Sequence, residues 1–386
     1  MTYFHLNIQF SPMIRGFLLL LGLYLTGCDG GSRRHQGQDE AASDSLLLQP
    51  SIAWVDSFSV DTIEQLDAYF EARARHGRFN GNVLLVDEGK RYERTLGKRN
   101  FKKERELEEE DAFQLASLSK PITAFGLLLL IDQGKLDLDD FVQDYLWDFP
   151  FENVTIRSLL AHTSGIGNYI YITDSLWNAP DSFMTNLDMY NFIGCGHLPR
   201  YYTPHTRFHY CNTNYALLPL LIEAVSGRSF RQYMQEEVFE PLGMVHTSYL
   251  DPWIKNSSEY AVLGHYPNGD PKRPFYLNGI VGDKGLYSTT GDLFKFFMEW
   301  KHPSLISKRL AEEAMCPQSK SAHDQYYGLG WRIRPLEDDT LIFHNGWWRG
   351  FRSYFWMSKK QEKVAIILTN SIRGGYLKQD ELWQMF

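Results

Sequence analysis

The block Phe125-Gly-Leu-Leu-Leu-Leu-Ile131 constrains this chain more than any other stretch. It offers no polar face, and a helix apolar all round belongs inside a large domain or a membrane. Seven residues are too few to span a bilayer, which leaves the middle of a domain. Gly134 supplies a C-terminal stop, followed by the charged Lys135-Leu-Asp-Leu-Asp-Asp140. Just upstream runs Ser117-Leu-Ser-Lys120-Pro-Ile-Thr123, so a serine and a lysine stand at the mouth of a buried helix.

Three residues apart on a helix, Ser117 and Lys120 share a face. A serine hydroxyl attacks poorly until a base takes its proton. A lysine can be that base where burial and a helix N-terminus disfavour its charge. Free backbone N–H groups at the same N-terminus suit a developing oxyanion. Pro121 disfavours helical backbone at Lys120, which predicts a tight first turn with the regular helix starting at Pro121. A lone Ser-x-x-Lys arises by chance about once in a chain this long, so the remaining residues decide its meaning.

The length allows two domains at most, or one large domain with an insertion. A net charge of −8 without a long basic run argues against nucleic acid as a partner. Cys28, Cys195, Cys211 and Cys316 show no C-x-x-C spacing, which sets aside most zinc knuckles and redox pairs. A Cys195–Cys211 disulfide stays open at this stage. The His and Cys residues between positions 195 and 211 fit no standard zinc spacing, so no metal or cofactor is expected.

At the amino terminus, Met13-Ile-Arg15 precedes an apolar run from Gly16 to Leu25, of signal-peptide rather than spanning length. Residues 1–28 are expected to be a leader. Residues 29–50, rich in Gly, Ser, Gln and Asp, read as a flexible tether. The folded part is expected over 51–386. Residues 61–75 carry apolar side chains at a helical period, and two strands flank a turn at Glu88-Gly-Lys90. Helical patterns follow at 154–160, 216–225 and 230–239, and strands return at 330–334, 340–344, 351–356 and 364–368. This order predicts an α/β (α+β) fold. Its antiparallel sheet is built from both ends of the chain, about 55–116 and 280–386, and flanked by helices, with a large helical insertion at about 120–275.

Two further pieces could serve the serine. Tyr210-Cys-Asn212 lies on a loop before an apolar helix, where a phenol could relay a proton and an amide could hold the lysine or a substrate. His344-Asn-Gly346-Trp347 ends a predicted strand, and its glycine lets backbone come close to a ligand.

Ser117-x-x-Lys120, Tyr210-x-Asn212 and His344-x-Gly346, in this order, resemble the motifs of the penicillin-recognising serine hydrolases. These include class C β-lactamases, D,D-carboxypeptidases, D-aminopeptidases and related esterases. Leu159-Leu-Ala-His-Thr-Ser-Gly165 and Gly285-Leu-Tyr-Ser-Thr-Thr-Gly-Asp292 look like landmarks of the same family, and the likeness covers about residues 58–372. The resemblance implies acylation of Ser117 and proton transfer by Lys120 and Tyr210. It also implies substrate contact by Asn212, with His344 standing where many β-lactamases have lysine. The oxyanion would be held by the backbone N–H groups of Ser117 and Trp347. Leu25-Thr-Gly-Cys28 resembles the lipobox of bacterial lipoproteins, which implies lipidation of Cys28 and an envelope location on a membrane.

Several positions depart from the family pattern. No Lys-Thr-Gly occurs, Trp347-Trp348 replaces small residues, Pro204-His205 stands for Pro-Gly, and Lys284 for glycine. These departures lower the expectation of β-lactamase activity. They raise that of a D-amino-acid peptide, amide or ester substrate, including one derived from peptidoglycan. The rival readings are a carboxylesterase on the same scaffold and a non-catalytic envelope protein that binds peptidoglycan or a partner. Arg349 is a candidate for a substrate carboxylate or for an ordinary surface ion pair.

Overall fold

The computed structural model describes residues 56–103, 105–179, 181–250, 261–273, 275–373 and 376–386. The expected leader, tether and Cys28 lie outside them. The opening elements are strand β1 (Asp56–Ser57), a helix (Val60–Arg75), β2 (Gly81–Asp87) and β3 (Lys90–Leu96). Glu88 and Gly89 both take positive φ, at 47° and 83°, and Asp87 pairs with Lys90. A two-residue turn with both centres left-handed matches the twist of the strands it joins.

Smaller strands follow: β4 (Lys98–Asn100), β5 (Arg105–Glu106), β6 (Phe113–Gln114), β7 (Ser248–Tyr249) and β8 (Leu286–Ser288). The C-terminal third supplies β9 (Ser319–Ala322), β10 (Gln325–Tyr327), β11 (Arg332–Pro335), β12 (Thr340–Trp348), β13 (Phe351–Ser358) and β14 (Lys363–Thr369). Nine of these form one sheet in the order β1-β3-β2-β14-β13-β12-β11-β10-β9, antiparallel except for β1 with β3. The two ends of the chain therefore meet at β2 and β14, with the helical part between them, as the sequence predicts.

Both faces of the sheet are covered. In β2, Leu84 and Val86 join the large core on the side of the insertion, whereas Val83 and Leu85 join a second core with Leu66 and Phe70 of the first helix. β14 alternates likewise, with Ile366 and Leu368 on one side and Ala365 and Ile367 on the other. A strand buried on both faces reads as a continuous apolar run, and β2 and β14 do.

The apolar block lies in the helix Ser119–Asp132, whose residues 119–130 are all buried. Phe125 packs edge-on against Phe296 and Trp300. Gly134, at φ +66°, ends the helix, and Lys135 N–H reaches back to Leu130 O. The regular helix starts two residues before Pro121, earlier than the sequence predicts. Proline in a first turn has no N–H to leave unpaired, so Lys120 stays helical. A tight 3-10 turn, Ala116–Leu118, precedes it. Residues 230–239 are also less regular than expected, being an α-helix to Met234 and a π-turn over Gln235–Phe239.

Candidate active site

The small sheet β6-β8-β7 was not legible in the sequence, yet it delivers the serine. β6 pairs with β8, and Leu115 N–H continues the ladder to Leu286 O at 2.8 Å. Ala116 then turns at φ +50°, a left-handed conformation that costs a β-carbon residue roughly 1 kcal/mol or more. Strand β12 closes on this turn from the other side. A Cβ at Gly346 would collide with Leu115 O and Ser353 Oγ, and Ser353 Oγ donates to Leu115 O. Ser117 therefore follows a strained residue clamped between two sheets.

Lys120 is fully buried behind the serine. Its Nζ donates to Ser117 Oγ at 3.2 Å, Asn212 Oδ1 at 2.7 Å and the Asp283 carbonyl at 2.8 Å. Asn212 Oδ1 and the Asp283 carbonyl can only accept, so they fix two N–H groups of Nζ, and the serine hydroxyl is the only one of the three able to give up a proton. Asn212 opens the helix Asn212–Ser226, directly after Tyr210 and Cys211. The Tyr210 ring centroid lies 5.1 Å from Lys120 Nζ, so its π-face covers the nitrogen. The ring also packs 4.4 Å from His162 and carries the Arg332 guanidinium at 4.9 Å.

His344 is fully buried, its ring 6.2 Å from that of Tyr210. Its Nδ1 lies 2.9 Å from Asn345 O and its Nε2 lies 3.1 Å from Tyr327 Oη. A carbonyl can only accept, so Nδ1 carries the proton and Nε2 accepts from the tyrosine. Burial first, then Arg332 and Lys120, hold its pKa well below the usual histidine range. The imidazole is neutral. His162 is buried too, and its Nδ1 accepts from Cys211 N–H at 3.2 Å and faces Asn214 Nδ2 at 3.3 Å. Burial and then Lys120 push its pKa down as well.

The cleft holds about 380 Å³ and is lined by Ala116, Ser117 and Asn212 on one side and by Trp347, Trp348 and Arg349 on another. Trp347 is 58% exposed, an indole standing at the rim. Cys195, Cys211 and Cys316 are free thiols.

The structure thus brings Ser117, Asn212 and Trp347 to one cleft, with Lys120 behind the serine, the Tyr210 ring beside Lys120, Gly346 against the serine turn and the His344 ring 6.2 Å from that of Tyr210. Sequence reasoning missed Asp283, whose carbonyl anchors Lys120 and whose carboxylate is tied to Tyr169 and Lys284. The one signal was position: Asp283-Lys284 stands immediately before the Gly285-Leu-Tyr-Ser-Thr-Thr landmark.

A family model described as Beta-lactamase matches residues 62–381. Penicillin-binding protein 4* of Bacillus subtilis is 31% identical over 327 residues, covering 80% of this chain and 71% of that protein. Protein flp of Staphylococcus aureus is 26% identical over 324 residues, and this chain spans 63% of its length. Among solved structures, a penicillin binding protein from Bacillus halodurans superposes with a TM-score of 0.71 at 27% identity, covering 78% of this chain and 94% of that one.

Proposed function

The chain belongs to the beta-lactamase family of serine hydrolases, and on that premise we propose that it cleaves amide or ester bonds of D-amino-acid peptides or related envelope substrates through an acyl-enzyme on Ser117. The observation that carries this reading is the 3.2 Å contact between Ser117 Oγ and a Lys120 Nζ pinned by Asn212 and Asp283. Ser117 Oγ attacks the carbonyl carbon while its proton passes to Lys120 in its amine form, with Tyr210 beside it to relay. The N–H groups of Ser117 and Trp347 receive the oxyanion. Collapse of the tetrahedral intermediate breaks the C–N or C–O bond, and the leaving group takes the proton. Water then attacks the acyl-serine, releases the acid and restores the hydroxyl.

Neutral, buried His344 offers no charge to a substrate carboxylate from strand β12. A fluorophosphonate probe should label the wild type and not Ser117→Ala. Absence of wild-type labelling would instead favour the non-catalytic binder. Comparing turnover of a p-nitrophenyl ester with that of a D-Ala-D-Ala peptide separates esterase from peptidase.

The same proposal places the protein on a bacterial envelope membrane through lipid at Cys28, supported by the Leu-Thr-Gly-Cys28 sequence. Among the described residues no helix is long and apolar enough to cross a membrane. Cys28→Ala should move the protein from the membrane fraction to the soluble fraction. Retention on the membrane would remove the anchor from the proposal.

A further inference from the structure

The cleft carries charge that acylation does not use. Among the described residues Lys272, Lys284 and Arg349 line it, with Asp283 as the one acidic residue. That carboxylate is fully engaged: Oδ2 accepts from Tyr169 at 2.9 Å, and Oδ1 lies 3.3 Å from Lys284 Nζ. Lys284 Nζ also donates to Tyr169 Oη at 2.6 Å. Two of its three N–H groups are thereby occupied, and the third belongs to an ammonium only 3% exposed, 5.4 Å from the Trp348 ring.

The other two cations are less satisfied still. Lys272 lies over the Tyr266 ring at 4.3 Å, and no carboxylate pairs with it among the described residues. Arg349 donates to the Arg273 carbonyl at 2.8 Å, while its buried Nε has no partner among the described residues. Among the described lining residues three basic side chains face one carboxylate, a basic surplus in a chain whose net charge is −8, and burial disfavours the charge on Lys284 and Lys272 until an anion offsets it. None of the three donates to Ser117 or Asn212, so the surplus has no part in holding the nucleophile. Charges confined between indole walls act through less water and are screened less than surface charges.

We infer that Lys284, Lys272 and Arg349 form an anion subsite that takes a carboxylate carried by the substrate near its scissile carbonyl. The inference rests on the hydrolase reading above and narrows it to acyl compounds of dicarboxylic type, such as glutaryl esters and amides or acidic acyl side chains. Charge absent from β12, where His344 is neutral, is supplied here by the loop before β8 and by the turn after Trp348. A carboxylate offers four lone-pair sites, enough for the third Lys284 N–H and an Arg349 fork together.

Two matched p-nitrophenyl esters test it, hydrogen glutarate and its methyl-capped form, which differ by one charge. The wild type should show kcat/KM about tenfold or more higher for the charged ester, the size expected of a charged hydrogen bond. That ratio should fall toward one in Lys272→Gln/Arg349→Gln and in Asp283→Asn/Lys284→Met, the latter removing both buried partners so that neither charge is orphaned. A wild-type ratio at or below one, or a ratio unchanged in both folded variants, overturns the subsite. Calorimetric titration of Ser117→Ala with monomethyl and dimethyl glutarate reads the wall without turnover, and the monoanion should bind about tenfold tighter. If neither ester is hydrolysed but the monoanion is still preferred, the hydrolase reading fails and the subsite stands. Equal binding of the two overturns the subsite even in an active enzyme.

Discussion

Lys120 is the residue on which the proposed chemistry turns, because its three acceptors leave it one geometry. Lys120→Ala removes the base and should lower the rate of fluorophosphonate acylation about 10²–10⁴-fold, the usual range for a positioned general base, in a protein whose circular dichroism is unchanged. Labelling at the wild-type rate would mean that the base is elsewhere. The two buried histidines set a pH limit. In the folded state both are held neutral, well below their unfolded pKa of about 6.5. As pH falls below that value the unfolded chain takes up protons that the folded chain refuses, so stability is full above about pH 6.5 and declines on acidification. Each such group contributes a slope of up to about 1.4 kcal/mol per pH unit until its folded pKa is reached. Urea unfolding of His344→Gln between pH 7 and 5 should show a shallower decline than the wild type. Parallel slopes would show that His344 takes up its proton alike in both states.

At the scale of elements, the site depends on how closely β12 approaches the serine turn, and Gly346 makes that approach. Gly346→Ala places a methyl group against Leu115 O and Ser353 Oγ, both fixed by the sheet. Overpacking of this kind costs about 1–3 kcal/mol, and moving Trp347 N–H off the oxyanion position should cost acylation more than stability. The check is labelling rate against urea midpoint, and a variant that labels normally would remove β12 from the oxyanion hole. The strands that hold β12 in place were legible, because β2 and β14 are apolar runs and β13 is rich in aromatics, which favour strands. The buried helix was legible for the same reason of composition. Ala116 was not, since an alanine at φ +50° leaves no trace in sequence; tertiary clamping imposes it. His205 is half legible: it stands where a Pro-Gly turn is usual, and it does adopt a left-handed φ of 66°. The partners of His344, Tyr327 Oη and Asn345 O, were not legible either. A partner 17 residues away on a neighbouring hairpin, like the Tyr169–Asp283–Lys284 cluster, comes from the fold and follows no periodicity.

Across the whole molecule, the serine is positioned by a sheet that cannot be completed until the end of the chain arrives. β2 pairs on one edge with β3, its neighbour in sequence, but on the other with β14, Asp87 standing opposite Lys363 and Gly81 opposite Thr369. β14 in turn pairs with β13, which pairs with β12, which presses Gly346 against Leu115. Such long-range pairing delays the reward for closing the loop, so the hairpin β2–β3 gains little on its own. A chain stopped after Gln361 retains Ser117, Lys120, Tyr210, Asn212, Asp283 and His344, every side chain of the proposed chemistry. It loses β14, which buries residues on both faces, along with the C-terminal helix Gln379–Trp383 that helps cover the second core. The truncated chain should therefore show no cooperative urea transition by circular dichroism and no fluorophosphonate labelling. A labelled, cooperatively folding truncation would mean that the nucleophile is set locally by β6, β8 and its own helix, and that the nine-stranded sheet serves stability alone.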